Sequence, residues 1–100
     1  MAYKIIVTAY FEETAAKTSQ WLEDKWSAQS ADKFDQKLKS AIERISKRPF
    51  TGRLSNNRKN IRSVPVTRHN RIYYSISNDT ITLLELFETK QDPERNKFEQ

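Results

Sequence analysis

Between Arg44 and Asn78 the chain carries nine cations and no carboxylate: Arg44, Lys47, Arg48, Arg53, Arg58, Lys59, Arg62, Arg68 and Arg71. The remainder holds nine more Lys or Arg against thirteen Asp or Glu, so a net charge of +5 over 100 residues hides a strongly polarised chain. Guanidinium and ammonium groups with no acid among them attract phosphate or carboxylate, which makes Arg53, Arg58, Lys59, Arg62, Arg68 and Arg71 candidates for contact with an acidic target. The plain alternative is a solvated charge run, which loops tolerate. His69 lies inside the stretch as the one imidazole. It could touch phosphate or act as a base, but its usual partners in catalysis are not evident, and a polar residue at a hairpin tip is the simpler reading.

The rest of the composition removes several chemistries. With no cysteine there is no disulfide framework, thiol nucleophile or thiolate metal site. One glycine, Gly52, cannot make a glycine-rich phosphate loop, and one histidine cannot make a multi-histidine metal centre. No cofactor and no metal are expected. No apolar run approaches the roughly 20 residues that span a bilayer, so no membrane partner and a cytoplasmic location are expected. The length fits a single domain over residues 1–100, with 91–100 a polar, fraying tail.

The elements that must position these residues follow from periodicity. Tyr3 to Thr8 is β-branched and aromatic and predicts a strand; its Ile5-Ile6-Val7 run implies burial on both faces. Thr8 can cap a helix over Ala9 to Lys25, whose stripe runs Phe11, Ala15, Thr18, Leu22 and Trp26, with Trp21 beside it. Both tryptophans are expected to pack the helical pair. Ser27 breaks and caps the next helix, Ala28 to Lys47, with Ala31, Phe34, Leu38, Ala41, Ile42 and Ile45 on one stripe and Pro49 beyond its end. So short a link predicts an antiparallel helical hairpin.

Pro49 to Asn60 reads as a loop. Ile61 to Thr67 is a strand in which Pro65 argues for an edge or a bulge. Arg68-His69-Asn70 is a turn, with Asn70 the residue suited to positive φ. Arg71 to Ser77 alternates, placing Tyr74 inside and Tyr73 beside the helices or exposed for stacking. Asn78-Asp79 turns into Thr80 to Glu88, the most apolar strand. The order is β-α-α-β-β-β, an α+β fold with a helical hairpin on one face of a small, mainly antiparallel sheet.

The chain resembles the RelE/ParE superfamily of toxins from type II toxin–antitoxin systems. The resemblance is carried by Tyr3 to Thr8, the Lys25-Trp26-Ser27 break and the Pro49-x-x-Gly52 helix exit. It continues through Arg62-Ser63-Val64-Pro65-Val66, Arg71-Ile72-Tyr73-Tyr74 and Leu84 to Phe87 running into Asp92-Pro93. The long hairpin with a tryptophan at its break is nearer the ParE-like branch. The resemblance implies a co-expressed antitoxin as partner, in a toxin–antitoxin hetero-oligomer. It would dock on the hairpin and on Ile61 to Thr67 by strand addition or as a helix in a groove.

Two activities are implied by the resemblance. In one, the protein binds DNA gyrase, traps its cleaved-DNA state and needs no catalytic constellation. In the other it cuts mRNA on the ribosome, and Arg62, Arg71 and Lys90 would be the catalytic cations, with His69 a further candidate. Lys90 and Gln91 stand where that branch tends to place an arginine, and of the C-terminal His or Tyr it uses the tail offers only Phe98. Lys90 also joins the target-binding cations on either reading. A third reading is a toxin-inactive relative that keeps only its antitoxin partner. The target-binding role of the cations and the gyrase reading are the expectations carried forward.

Overall fold

Thr8 shows how the local chemistry sets the architecture. Its Oγ1 accepts a hydrogen bond from the Phe11 N–H (3.0 Å) and donates to the Leu83 carbonyl (2.9 Å). One hydroxyl thereby caps a helix and ties it to the sheet. A computed structural model of the chain describes residues 3–55 and 60–89. Its elements are β1 (Lys4–Val7), α1 (Ala9–Lys25), α2 (Ala28–Lys47), a 3₁₀ turn (Pro49–Thr51), β2 (Arg53–Leu54), β3 (Ile61–Thr67), β4 (Asn70–Ser77) and β5 (Thr80–Glu88). Ser27 caps α2 through the Ser30 N–H (3.0 Å), as its residue type predicts.

The five strands form one sheet in the order β1-β5-β4-β3-β2. β3, β4 and β5 make an antiparallel meander, and β1 joins β5 in parallel, with Lys4 opposite Thr80 and Val7 opposite Leu83. The hairpin of α1 and α2 covers one face. Phe11, Phe34, Ala41 and Ile45 from the helices meet Val64, Ile72, Tyr74, Ile81, Leu83 and Leu86 from the sheet. A second cluster of Ile61, Tyr73 and Phe87, with Leu84 against it, is built on the opposite face.

Four expectations change. The Ile5-Ile6-Val7 run is not buried on both sides: β1 is an edge strand, and Ile6 and Val7 are each 43% exposed. The segment after Pro49 is not all loop, because Arg53 and Leu54 pair with Ser63 and Arg62. Asn70 does not take positive φ; among the described residues Asn78 does (φ 56°). Asn70 instead opens β4, its Oδ1 accepting from the Thr67 hydroxyl (2.9 Å). Tyr73 lies neither by the helices nor in solvent. It is buried on the other face, edge-on to Phe87 with ring centroids 6.1 Å apart.

Two irregularities explain adjacent apolar pairs. A bulge between Tyr73 and Tyr74 leaves Leu84 as the extra residue, so Leu83 enters the main core while Leu84 turns to the second cluster. Pro65 lies at both an edge and a bulge, since β2 stops at Ser63 and the register with β4 shifts between Pro65 and Thr67.

Candidate functional site

The strand pleat decides where the two central arginines go. Side chains alternate faces along a strand, and directly paired residues share one. Arg62 is opposite Tyr74, and Arg71 is opposite Pro65. Arg62 therefore shares the helix face with Tyr74 and Val64, while Arg71 shares the other face with Ser63 and Tyr73. The structure does not bring Arg62 and Arg71 together.

Arg62 is committed to the backbone. Its Nη1 donates to the carbonyls of Phe50 (3.1 Å) and Gly52 (2.9 Å), and its guanidinium lies 5.3 Å from the centre of the Phe50 ring. Beside it Tyr74 donates its buried hydroxyl to the Pro49 carbonyl (2.6 Å). A Cβ on Gly52 would stand 2.2 Å from the Tyr74 oxygen and 3.1 Å from the Ser63 carbonyl. Glycine is required here by close approach, not by backbone angle. Burial pushes the Tyr74 phenol up, while the Gly52 backbone and the Arg62 charge pull it the other way.

Arg71 is oriented across the ladder. Its Nε and Nη2 donate to the Ser63 hydroxyl (3.2 and 3.1 Å), and Nη2 also reaches the Ser63 carbonyl (3.3 Å). Ser63 was not singled out in the sequence, because nothing in its type marks it. Pairing with Tyr73 places it beneath Arg71. The Arg71 guanidinium is half-buried beside the Tyr73–Phe87 pair, a geometry that can hold a phosphate oxygen.

The remaining candidates scatter. His69 sits in the β3–β4 turn, where Nε2 accepts from Arg68 Nε (3.3 Å) and the backbone N–H donates to Thr67 Oγ1 (3.0 Å). That bond occupies the lone pair a general base would use. Arg53 is exposed on β2, and Lys47 and Arg48 are exposed at the C-terminal end of α2. Arg58, Lys59 and Lys90 lie outside the described residues. The seven of the nine cations that lie among the described residues therefore do not form one face. No group of three or more metal-ligating side chains gathers among the described residues, and no described helix is long and apolar enough to cross a membrane.

A larger concave surface than any beside these arginines lies elsewhere among the described residues. α1 leaves the sheet at Leu83, so only Leu84 to Glu88, about 16 Å of strand, runs on ahead of it. Its 17 residues measure about 25 Å. The hairpin consequently overhangs the end of the sheet. Trp26 is 73% exposed, Trp21 53% and Tyr10 51%, so the expectation that both tryptophans pack the hairpin is corrected. Beneath the overhang runs a groove of about 790 Å³. Tyr10, Trp21, Leu22 and Trp26 form its α1 side and Phe34 its α2 side, and His69 is among its lining residues from the sheet end. An exposed aromatic groove of this size is the kind of surface on which partners dock. The helical spacing of Trp26 was visible in the sequence, but the register that leaves it without a floor was not.

Comparison with known proteins agrees with this fold. Residues 5–93 match the family model described as ParE toxin of type II toxin-antitoxin system, parDE. No curated protein matches the sequence. Among solved structures, the chromosomal ParDE toxin–antitoxin system of Pseudomonas aeruginosa superposes with a TM-score of 0.76 at 10% identity, covering 89% of this chain and 98% of that one. The YoeB/ParE toxin of Agrobacterium tumefaciens gives 0.61 at 14% identity, covering 85% and 97%. The heterotetrameric YoeB–YefM toxin–antitoxin complex of Staphylococcus aureus gives 0.55 at 11%, covering 86% and 95%. At these identities the structural likeness speaks for the fold.

Proposed function

Because this chain belongs to the ParE toxin family of type II toxin–antitoxin systems, we propose that it poisons DNA gyrase by binding and is held inactive by a cognate antitoxin seated in the aromatic groove. The observation that carries the partner half is the overhang: Trp21, Trp26 and Tyr10 present apolar area to solvent beside a groove of about 790 Å³. Aromatic anchors in such a groove are the usual energetic centre of helix recognition. The ParDE and YoeB–YefM structures are themselves toxin–antitoxin assemblies, which supports an antitoxin here.

Strand addition at β3 is the weaker of the two docking modes. Beyond Ser63 the outer edge of β3 reaches Pro65, which has no N–H to donate. The Pro65 carbonyl already accepts from Arg44 Nη2 (3.5 Å). An edge so blunted is a poor template for a further strand.

Poisoning by binding is supported by the disposition of the cations. Arg62 and Arg71 point to opposite faces of the sheet, so the pair does not converge on one scissile phosphate. The measurement is a supercoiling assay with purified gyrase and relaxed plasmid. Saturating protein should inhibit supercoiling and raise the yield of linear, enzyme-cleaved plasmid. Unchanged supercoiling and no linear product would refute the proposal.

One observation favours a second reading, the ribosome-dependent mRNA endonuclease. Arg71 is oriented by Ser63 beside Tyr73 and Phe87, as a phosphate-binding arginine would need to be. That reading expects cleavage of translated message that disappears in Arg71→Ala while the fold persists.

A further inference from the structure

We propose that the furrow between α2 and the outer edge of β3 is the docking strip for an extended, acidic peptide segment of the antitoxin, held by side-chain charge and not by strand pairing. The inference rests on the antitoxin reading above and adds where the acidic part of that partner lies.

The furrow has a volume of about 440 Å³ and is lined by Lys33, Gln36, Lys37, Ser40, Arg44 and Val66. No acid lines it, although α2 contains Asp32, Asp35 and Glu43. Positions 33, 37, 40 and 44 follow one stripe, with Asp32 and Glu43 on its flank, one turn from Gln36 and Ser40. Asp35 instead faces α1, where it accepts from the Ser19 hydroxyl (3.3 Å). Lys33 and Lys37 have no ion-pair partner among the described residues. Free ammonium groups in a row beside a shallow trough, with an apolar floor at Val66, complement a chain that alternates acidic and apolar side chains.

The dimensions agree. Lys33 and Lys37 are about 6 Å apart along the helix axis, close to the roughly 6.6 Å between alternate side chains of an extended strand. From Lys33 to Arg44 the row measures about 16 Å, which an extended segment of about five residues spans. The backbone of β3 contributes little there, since Pro65 lacks its donor and Arg44 occupies its carbonyl. A nucleic-acid strand has a similar phosphate spacing, but proteins that track single strands stack bases on aromatic side chains. The furrow has none. Lys33 and Lys37 also line the aromatic groove, so a chain leaving the groove across α2 passes directly into the furrow.

The test uses the intact protein and a fluorescein-labelled peptide of alternating glutamate and valine, about ten residues long, followed by anisotropy at low ionic strength. The peptide should bind, and binding should weaken as salt rises. The variant Lys33→Glu with Lys37→Glu should lose affinity by about tenfold or more, and Arg44→Glu should also weaken it. The pair Lys4→Glu with Lys25→Glu changes the net charge equally at exposed positions outside the furrow and should retain affinity within about twofold. Circular dichroism checks that each variant folds. Equal losses in both pairs, or no binding by the unaltered protein, would overturn the furrow. So would preferential displacement of the peptide by an oligothymidylate, which would make the strip a phosphate-tracking surface. Lys33 and Lys37 also border the aromatic groove, so Arg44→Glu, at a residue that lines the furrow and not the groove, is the variant that separates the two, and the tryptophan variants below test the groove by itself.

Discussion

At the residue scale, the chain's one glycine and one of its four tyrosines decide how the basic segment is anchored. Gly52 lets the exit from α2 pass over Tyr74, and Arg62 fastens the same turn through two carbonyls. Gly52→Ala should force the Tyr74 hydroxyl off Pro49 and cost about 1–3 kcal/mol. For a domain of this size that lowers the melting temperature by several degrees, read by thermal circular dichroism. Tyr74 also gives the fold an alkaline limit. Its folded-state pKa lies above the ordinary phenol value of 10.0, so the folded chain holds that proton more tightly than the unfolded one. The stability it contributes is present below pH 10 and is lost as pH rises beyond it. Melting temperature should fall above pH 10 in the parent and fall less steeply in Tyr74→Phe. The sequence exposed the close Pro-x-x-Gly spacing but not its reason, because the collision partner is 22 residues away. It also left the two arginines ambiguous. Ile61, Val64 and Val66 cannot all face one way on a regular strand, so the apolar pattern of β3 fits either parity. Only pairing with β4 shows that Arg62 takes the core side.

At the scale of elements, the helices were fully legible and their placement was not. Thr8 and Ser27 are local signals, each satisfied within three residues, and α1 and α2 begin where those caps put them. The strands of the meander were likewise marked by turns at 68–69 and 78–79. β2 was missed because a two-residue strand has no period, and it pairs only through the distant Arg62 and Ser63. The exposure of Trp21 and Trp26 was missed for a related reason. Their spacing belongs to an amphipathic stripe, but the parallel pairing of β1 with the first half of β5 starts α1 from the middle of the sheet. This argument makes a sharp prediction. Replacing both tryptophans by alanine should leave the melting temperature within about one or two degrees, since neither side chain is in the core. The same variant should escape neutralisation by its antitoxin, measured as growth arrest on co-expression with a cognate antitoxin. By contrast Phe34→Ala, in the main core, should cost about 3–5 kcal/mol. A large stability loss in the tryptophan variant, with neutralisation intact, would return those residues to a structural role.

At the scale of the whole molecule, the α+β architecture and the hairpin over a mainly antiparallel sheet were readable from periodicity and turn chemistry. The distribution of charge was not. A nine-cation segment in sequence becomes several separate placements in space: Arg62 in the core-facing layer, Arg71 on the opposite face, Arg68 at a turn, Arg44 along the furrow. The polarised surface expected from composition is thus replaced by an aromatic groove bordered by a cationic furrow. A fold of this kind hosts more than one activity, so the target must be read from what the protein does in a cell. The most direct measurement induces the protein without its antitoxin, then examines plasmid DNA and total RNA from the same culture. Gyrase poisoning predicts linearised plasmid, altered plasmid topology and full-length messages at the earliest time points. Unaltered plasmid beside messages cut within their translated regions would contradict it.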